Sequence, residues 1–243
     1  MKSLIYKELT HFFGSLTGVV VIGVYLLLNG LVLWILPGNF NLLDSGWANL
    51  DGLFVVSPWI FLFLIPAITM RMFSEEKRNG TLELLCTLPL KDWEIVGAKF
   101  AAAVVLVVLS ILPTLLYFYS IHALGAPVGS IDHGGTWGSY LGLVFLGAAY
   151  AAIGIFASSL TDNPIVGFLL AALLSGLVYA GFDALGGLAG NTQAGLLLPE
   201  FGLSQHYTSV SRGVLDSRDL LYFLCLPALF LGGAGLQLKS RSW

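Results

Sequence analysis

The chain has 243 residues, of which 57% are apolar and only 10% charged, with a mean hydropathy of +0.87 and a formal net charge of −3. Soluble domains carry about 25% charged residues, and here the apolar residues run in unbroken stretches long enough to cross a bilayer, which excludes an ordinary soluble globule. The two cysteines, Cys86 and Cys225, give neither a disulfide framework nor a metal-type Cys/His spacing, and no nucleic-acid partner is expected.

The opening "MKSLIYKELTHFF" puts Leu4, Ile5, Leu9, Phe12 and Phe13 on one helical face, with Lys7, Glu8 and His11 elsewhere. This predicts a helix lying in the membrane interface before the first span. Spans are expected at about 16–36, 53–70, 95–121, 137–160, 164–182 and 220–238, each near the roughly 20 residues that cover the hydrocarbon core. The first is too long for a signal-peptide core, and Glu8 sits where a basic leader belongs, so it is expected to be retained. Pro58, Pro66 and Pro113 fall inside spans, where neighbouring helices can satisfy the freed carbonyls. In the turn "SLTDNP", Asn163-Pro164 restarts a helix with proline in its first position. The segment "FGLSQHYTSVSRGVLDSRDLLYF" predicts a short helix resting at the outer interface. The fold class is therefore all-α and integral to the membrane, a single transmembrane domain over 1–243.

Six spans place both termini on one side. Lys2, Lys7, Arg71, Lys77, Arg78, Lys91, Lys99, Lys239 and Arg241 lie there, and only Arg212 and Arg218 lie opposite. The positive-inside rule makes the basic side cytoplasmic.

One charged passage interrupts this apolar chain: "SEEKRNGTLELLCTLPLKDWE", residues 74–94, with Glu75, Glu76, Lys77, Arg78, Glu83, Lys91, Asp92 and Glu94. The second span should run through Arg71 to a final turn at Lys77 and Arg78, ending at Asn79-Gly80. Thr81 can cap a short helix, with Glu83 near its positive end. Leu82, Leu85 and Leu88, at spacings of three, form its stripe and Pro89 stops it. A free helix of about eight residues is marginal in water, so it must dock, either under its own bundle or on a partner.

"EKRNGTLELLCTLP" resembles the signature of type-2 ABC transporter permeases, and "LKDWEIVGAKF" resembles the start of that family's third span. "ASSLTDNPIVGF" (157–168) and "SRGVLDSRDLLYF" (211–223) are similar to the gliding-motility-associated branch, while the glycine-rich segment near 185–195 fits no pattern of the family. The resemblance implies the permease subunit of an exporter-class ATP-driven transporter in a bacterial inner membrane. Its implied partners are two cytoplasmic ATPase subunits that carry ATP and Mg, a second permease chain, the lipid bilayer, and a membrane protein with a large outer domain. It also implies a coupling helix. Thr81, Leu82, Glu83, Leu84, Leu85 and Leu88 would form the docking element, with Gly80 at its start and Glu75, Glu76, Lys77 and Arg78 as its charged flank. Thr161, Asp162 and Asn163 would add a second contact. Arg212, Asp216, Arg218 and Asp219 are the expected contact for the outer-domain partner.

No Gly-x-x-x-x-Gly-Lys-[Ser/Thr] loop is present, so hydrolysis belongs to another polypeptide, and this chain is expected to bind no cofactor itself. No histidine has the His-Glu-x-x-His neighbourhood of a zinc protease, and "GLSQH" puts Ser204 beside His206 only in a loop. No catalytic or metal residue is therefore expected. A carrier driven by ions would need ionisable groups at mid-membrane. The candidates are weak: Lys99 is expected to snorkel to the interface, Asp183 lies near an outer end, and Asn29 suits a helix-to-helix hydrogen bond as well as a substrate. A structural anchor that moves nothing remains the alternative reading.

Overall fold

Hydrocarbon offers no partner to a bare N–H or C=O, so a chain this apolar must close its backbone bonds within helices. The computed structural model, which describes residues 2–14, 16–44, 46–86, 91–125, 131–190, 192–214 and 216–240, is all-helical, with no strand among the described residues. Helix α1 (Lys2–Gly14) precedes α2 (Leu16–Gly30), which ends in a π-helical turn, Leu31–Ile35. Then follow α3 (Asp51–Thr69), α4 (Arg71–Arg78) and the short α5 (Thr81–Cys86). Helix α6 (Asp92–Ile111) passes through a 3₁₀ turn at Leu112–Thr114 into α7 (Leu115–Leu124), and α8 (His133–Leu160) follows. Helix α9 (Pro164–Gly176) continues through a π turn, Leu177–Gly181, into α10 (Phe182–Ala189). The chain closes with α11 (Gln193–Leu197), a 3₁₀ turn at Leu198–Phe201, α12 (Leu203–Ser211) and α13 (Ser217–Lys239).

Six of these units are long and apolar enough to cross a membrane: Gly18–Ile35, Asp51–Arg78, Asp92–Leu124, His133–Leu160, Pro164–Ala189 and Ser217–Lys239. The protein is a multi-pass membrane protein, as the hydropathy predicts. Proline shapes the third span. Pro113 has no N–H, and the backbone there tightens to 3₁₀. Thr114 donates to the Ile111 carbonyl at 2.7 Å, and Tyr140 on α8 donates to the Thr114 carbonyl at 3.0 Å.

Helix α8 is the axis of the bundle, with 72% of its most apolar stretch buried, against 28% for α9–α10, 28% for α13 and 22% for the first span. Small residues admit its neighbours. A Cβ at Gly154 would collide with the Thr69 hydroxyl of α3, and one at Gly138 would lie 2.7 Å from the Gly213 Cα. These glycines of α8 thus serve contacts within the chain. Helices α2 and α3 are joined by a buried polar knot. Tyr25 and Ser57 hydroxyls lie 3.0 Å apart, and Asn29 donates to the Tyr25 carbonyl at 2.9 Å while its own oxygen sits 3.4 Å from the Ser57 hydroxyl. Asn29 is therefore a structural residue.

At one end of the bundle, here the basic end, α1 packs on α2 and α6, α4 packs on α8 and α9, and Lys239 of α13 sits 5.8 Å from the Trp93 ring of α6. The opposite end is roofed by α10, α11 and α12. The glycine-rich segment that fits no family pattern makes a tight turn there. Gly190 has φ +60°, and a Cβ at Gly186 would lie 2.7 Å from the Pro199 Cγ. The sequence predicts a helix resting on the interface, but α12 is packed into the bundle. Leu203, Tyr207 and Val210 are buried, and Tyr207 donates to the Phe54 carbonyl of α3 at 2.7 Å. Its apolar face meets α8, because glycines at 138 and 142 leave a groove that Tyr207 and Val210 fill.

Candidate functional site

The charged passage forms a bent arm at the basic end. Between α3 and α4 the helical ladder is interrupted at Met70, and Ser158 of α8 enters the gap. Its hydroxyl accepts from the Phe73 and Ser74 N–H groups at 3.0 and 3.1 Å and donates to the Met70 carbonyl at 2.9 Å. A side chain inserted into the ladder bends a helix, and one hydroxyl here satisfies three backbone groups. Ser74 donates back to the Met70 carbonyl as well.

The arm turns again at Gly80, which has φ +68°. The N–H groups of Asn79 and Gly80 bond the Glu75 and Lys77 carbonyls at 3.0 and 3.1 Å, closing the end of α4. Thr81 is expected as a cap, but it is instead the first residue of α5, and its hydroxyl reaches back to the Glu76 carbonyl at 3.3 Å. The positive-φ glycine makes the reversal, so no side-chain cap is needed.

Two leucines of the expected docking stripe, Leu82 and Leu85, face inward. Leu82 and Leu85 are buried in the protein's own core, and Thr81 and Glu83 face outward. A stripe of period three buries equally well under its own bundle, and here the bundle covers Leu82 and Leu85. The Leu84 side chain and the whole of Leu88 lie outside the described residues.

Lys77 joins the arm to the second predicted contact. Its ammonium donates to the Ser159 carbonyl at 2.6 Å and lies 3.9 Å from Asp162. In that turn Thr161 accepts from the Asn163 N–H at 3.2 Å, and Asn163 caps α9 by accepting from the Ile165 N–H at 3.0 Å. The arm and the Thr161–Asn163 turn, more than 80 residues apart in sequence, thus meet at Lys77, and Arg78, Gly80, Thr81, Glu83, Asp162 and Asn163 are exposed.

Glu76 does not belong to that surface. Its side chain is 13% exposed and turned toward α1 and α6, with Oε1 3.2 Å from Lys7 and Oε2 2.9 Å from Lys99. Lys99 does not snorkel. It is fully buried and donates to Glu8 at 2.9 Å and to the Met72 carbonyl at 2.6 Å, while its 2.9 Å approach to Glu76 is an ion pair off hydrogen-bond geometry. Sequence reasoning missed this cluster. The available signal was a lysine at the eighth position of α6, between Ala98 and Phe100, which needs a carboxylate when it cannot reach water. Three residues of the cluster, Lys7, Glu8 and Glu76, line a cavity of about 410 Å³ together with Phe12, Ile68 and Arg71.

At the opposite end, Asp216 caps α13. Its carboxyl is held below the ordinary range first by the Arg218 N–H, whose bond measures 3.0 Å, and also by the Arg218 charge. Asp219 is buried against His206 at 2.7 Å, and the His206 ring stacks on Tyr222 with centroids 4.0 Å apart. Arg212 and Arg218 are exposed. Ser204 donates to Asp183 rather than to His206, so the two have separate partners.

A profile of the ABC-2 family transporter proteins matches residues 44–198, well over half of the chain. The chain belongs to the ABC-2 transporter family. It is a membrane permease of that family, and the matched region contains the arm, the Thr161–Asn163 turn and the whole of α8. Permeases of this family generally pair with ATPase subunits. No curated protein matches the chain. Helices α1, α2, α12 and α13 lie outside the match, so half of the charge cluster, Lys7 and Glu8, belongs to the part of the permease that the family profile does not cover.

Proposed function

We propose that two cytoplasmic ATPase subunits, carrying ATP and Mg, seat on the surface formed by α4, α5 and the Thr161–Asn163 turn, and that two permease chains form the membrane unit they drive. The carrying observation is the Lys77 bridge, which merges the two predicted contacts into one charged surface on an otherwise apolar bundle. The concentration of basic residues at that end supports a cytoplasmic placement, with both termini inside, in a bacterial inner membrane. Leu82 and Leu85 then hold α5 against the permease, while Arg78, Thr81, Glu83, Asp162 and Asn163 meet the partner. Glu75 and Leu84 flank them. ATP-driven closure of the ATPases moves the arm, and the exporter-class bundle alternates its opening or relays force outward. Arg212, Asp216 and Arg218 are the exposed charges left for an outer-domain partner, in keeping with the resemblance to the gliding-motility-associated branch.

Leu85→Glu would disturb the permease itself, so the test uses exposed positions. Tagged permease is captured from gently solubilised native membranes, with Arg78→Glu/Glu83→Lys as the variant. Wild type should retain an ATPase and the variant should retain about tenfold less, the effect of losing roughly 1.4 kcal/mol of binding. Equal retention would move the docking surface elsewhere. No ATPase with intact wild type would favour the membrane-anchor reading.

A further inference from the structure

Four charges from three helices meet at the basic end, in the order Lys7, Glu76, Lys99, Glu8. They form a balanced set of two ammonium groups and two carboxylates. Lys99 has no exposure at all, Glu8 is 11% exposed, and the Lys99 ammonium also lies 5.0 Å over the Phe73 ring. The cluster ties α1 to α4 directly through Lys7 and Glu76, and ties both to α6 through Lys99.

We propose that this tetrad is a latch that makes α1, α4 and the start of α6 move as one body, passing displacement of the coupling arm into α1 and so into the first span. The proposal rests on the docking reading for the source of the motion, but the latch itself is a property of the permease alone. Its placement fits a lever. Ser158 holds α4 at Met70 through neutral backbone bonds, which is where a bend can pivot. Glu76 lies six residues farther out, about 9 Å along the helix axis, where a tilt of the arm is felt as a displacement.

The chemistry favours motion as a unit. If α4 moved without α1, the buried Lys99 ammonium would keep Met72 and Glu76 but lose Glu8, or Glu76 would lose its cations. Either outcome leaves a charge poorly paired where desolvation is costly. Packed apolar surfaces slide by small steps, whereas a buried ion pair is either made or broken. Burial of charge is a poor route to stability, since apolar residues of similar volume hold helices as well or better. The tie on the other side is looser: Lys77 reaches α8 with a long, partly exposed side chain that can follow the arm.

The test is amide hydrogen exchange on the whole permease in lipid nanodiscs, alone and with its ATPase. Glu8→Gln keeps the shape and removes one charge. Glu8→Leu/Glu76→Leu/Lys99→Met replaces the cluster with apolar contact and controls for folding. In permease alone, Glu8→Gln should speed exchange in α1 about tenfold while α8 stays unchanged, the mark of a local opening. With the ATPase bound to wild type, ATP should change exchange in α4 and α1 together. In the folded triple variant the response should stop at α4. Unchanged α1 exchange in Glu8→Gln, or an α1 response surviving in the triple variant, would overturn the latch. Wild type that binds no ATPase would sink the docking reading and leave the first comparison to decide the latch.

Discussion

A glycine can be required by backbone angle or by space, and this permease has one of each at its working end. Gly80 has φ +68° with nothing near the position a Cβ would take, so its constraint lies wholly in the left-handed backbone. Gly154 is helical, but a Cβ there would collide with Thr69, whose hydroxyl is held on the Ile65 carbonyl at 3.0 Å and cannot simply swing away. Gly80→Ala should cost about 1 kcal/mol, and Gly80→Asn less, since asparagine tolerates this conformation. Gly154→Ala should cost about 1–3 kcal/mol as overpacking, and asparagine there should be worse than alanine. Thermal unfolding of the four variants in detergent checks the crossing pattern. If asparagine and alanine rank the same way at both sites, one of the two explanations is wrong.

At the scale of elements, the arm was partly legible and partly not. Asn79-Gly80 reads as a helix end, and Pro164 after Asn163 reads as a helix start, because their causes are local in the chain. The direction of the leucine stripe could not be read, since Leu82 and Leu85 at a three-residue spacing look the same whether a partner or the bundle covers them. The bend at Met70 was invisible for a related reason. Its cause is the Ser158 hydroxyl, 88 residues away, and a serine in a small-residue helix carries no such signal. Lys99 was misread because Glu8 lies 91 residues distant, and a lysine near a span end ordinarily finds water. Ser158→Ala should leave the Phe73 and Ser74 N–H groups without their buried acceptor, costing about 1–3 kcal/mol. The loss should be local. Exchange should rise at Met72–Glu75 and remain unaltered in α12 and α13, whereas a uniform rise would mean that Ser158 supports the bundle rather than the bend.

For the whole molecule, the decisive property is polarity across the membrane. The six-span, all-helical plan was legible because apolar length alone dictates it. Helix α8 as the axis was not, because its role depends on where Gly147 and Gly154 meet other helices. The basic end carries the arm, the latch and Lys239, while Arg212 and Arg218 stand at the other end. If the positive-inside rule holds, a membrane-impermeant thiol reagent on intact spheroplasts should label Arg218→Cys and spare Arg78→Cys. Permeabilised cells should label both. The background chain has Cys86 and Cys225 replaced by serine, since Cys225 is exposed on α13. The opposite pattern would put the arm outside, beyond the reach of any cytoplasmic ATPase. The surface that Lys77 and Asp162 assemble would then have to serve an external partner, and the docking reading would fail as a matter of geometry whatever the capture experiment retained.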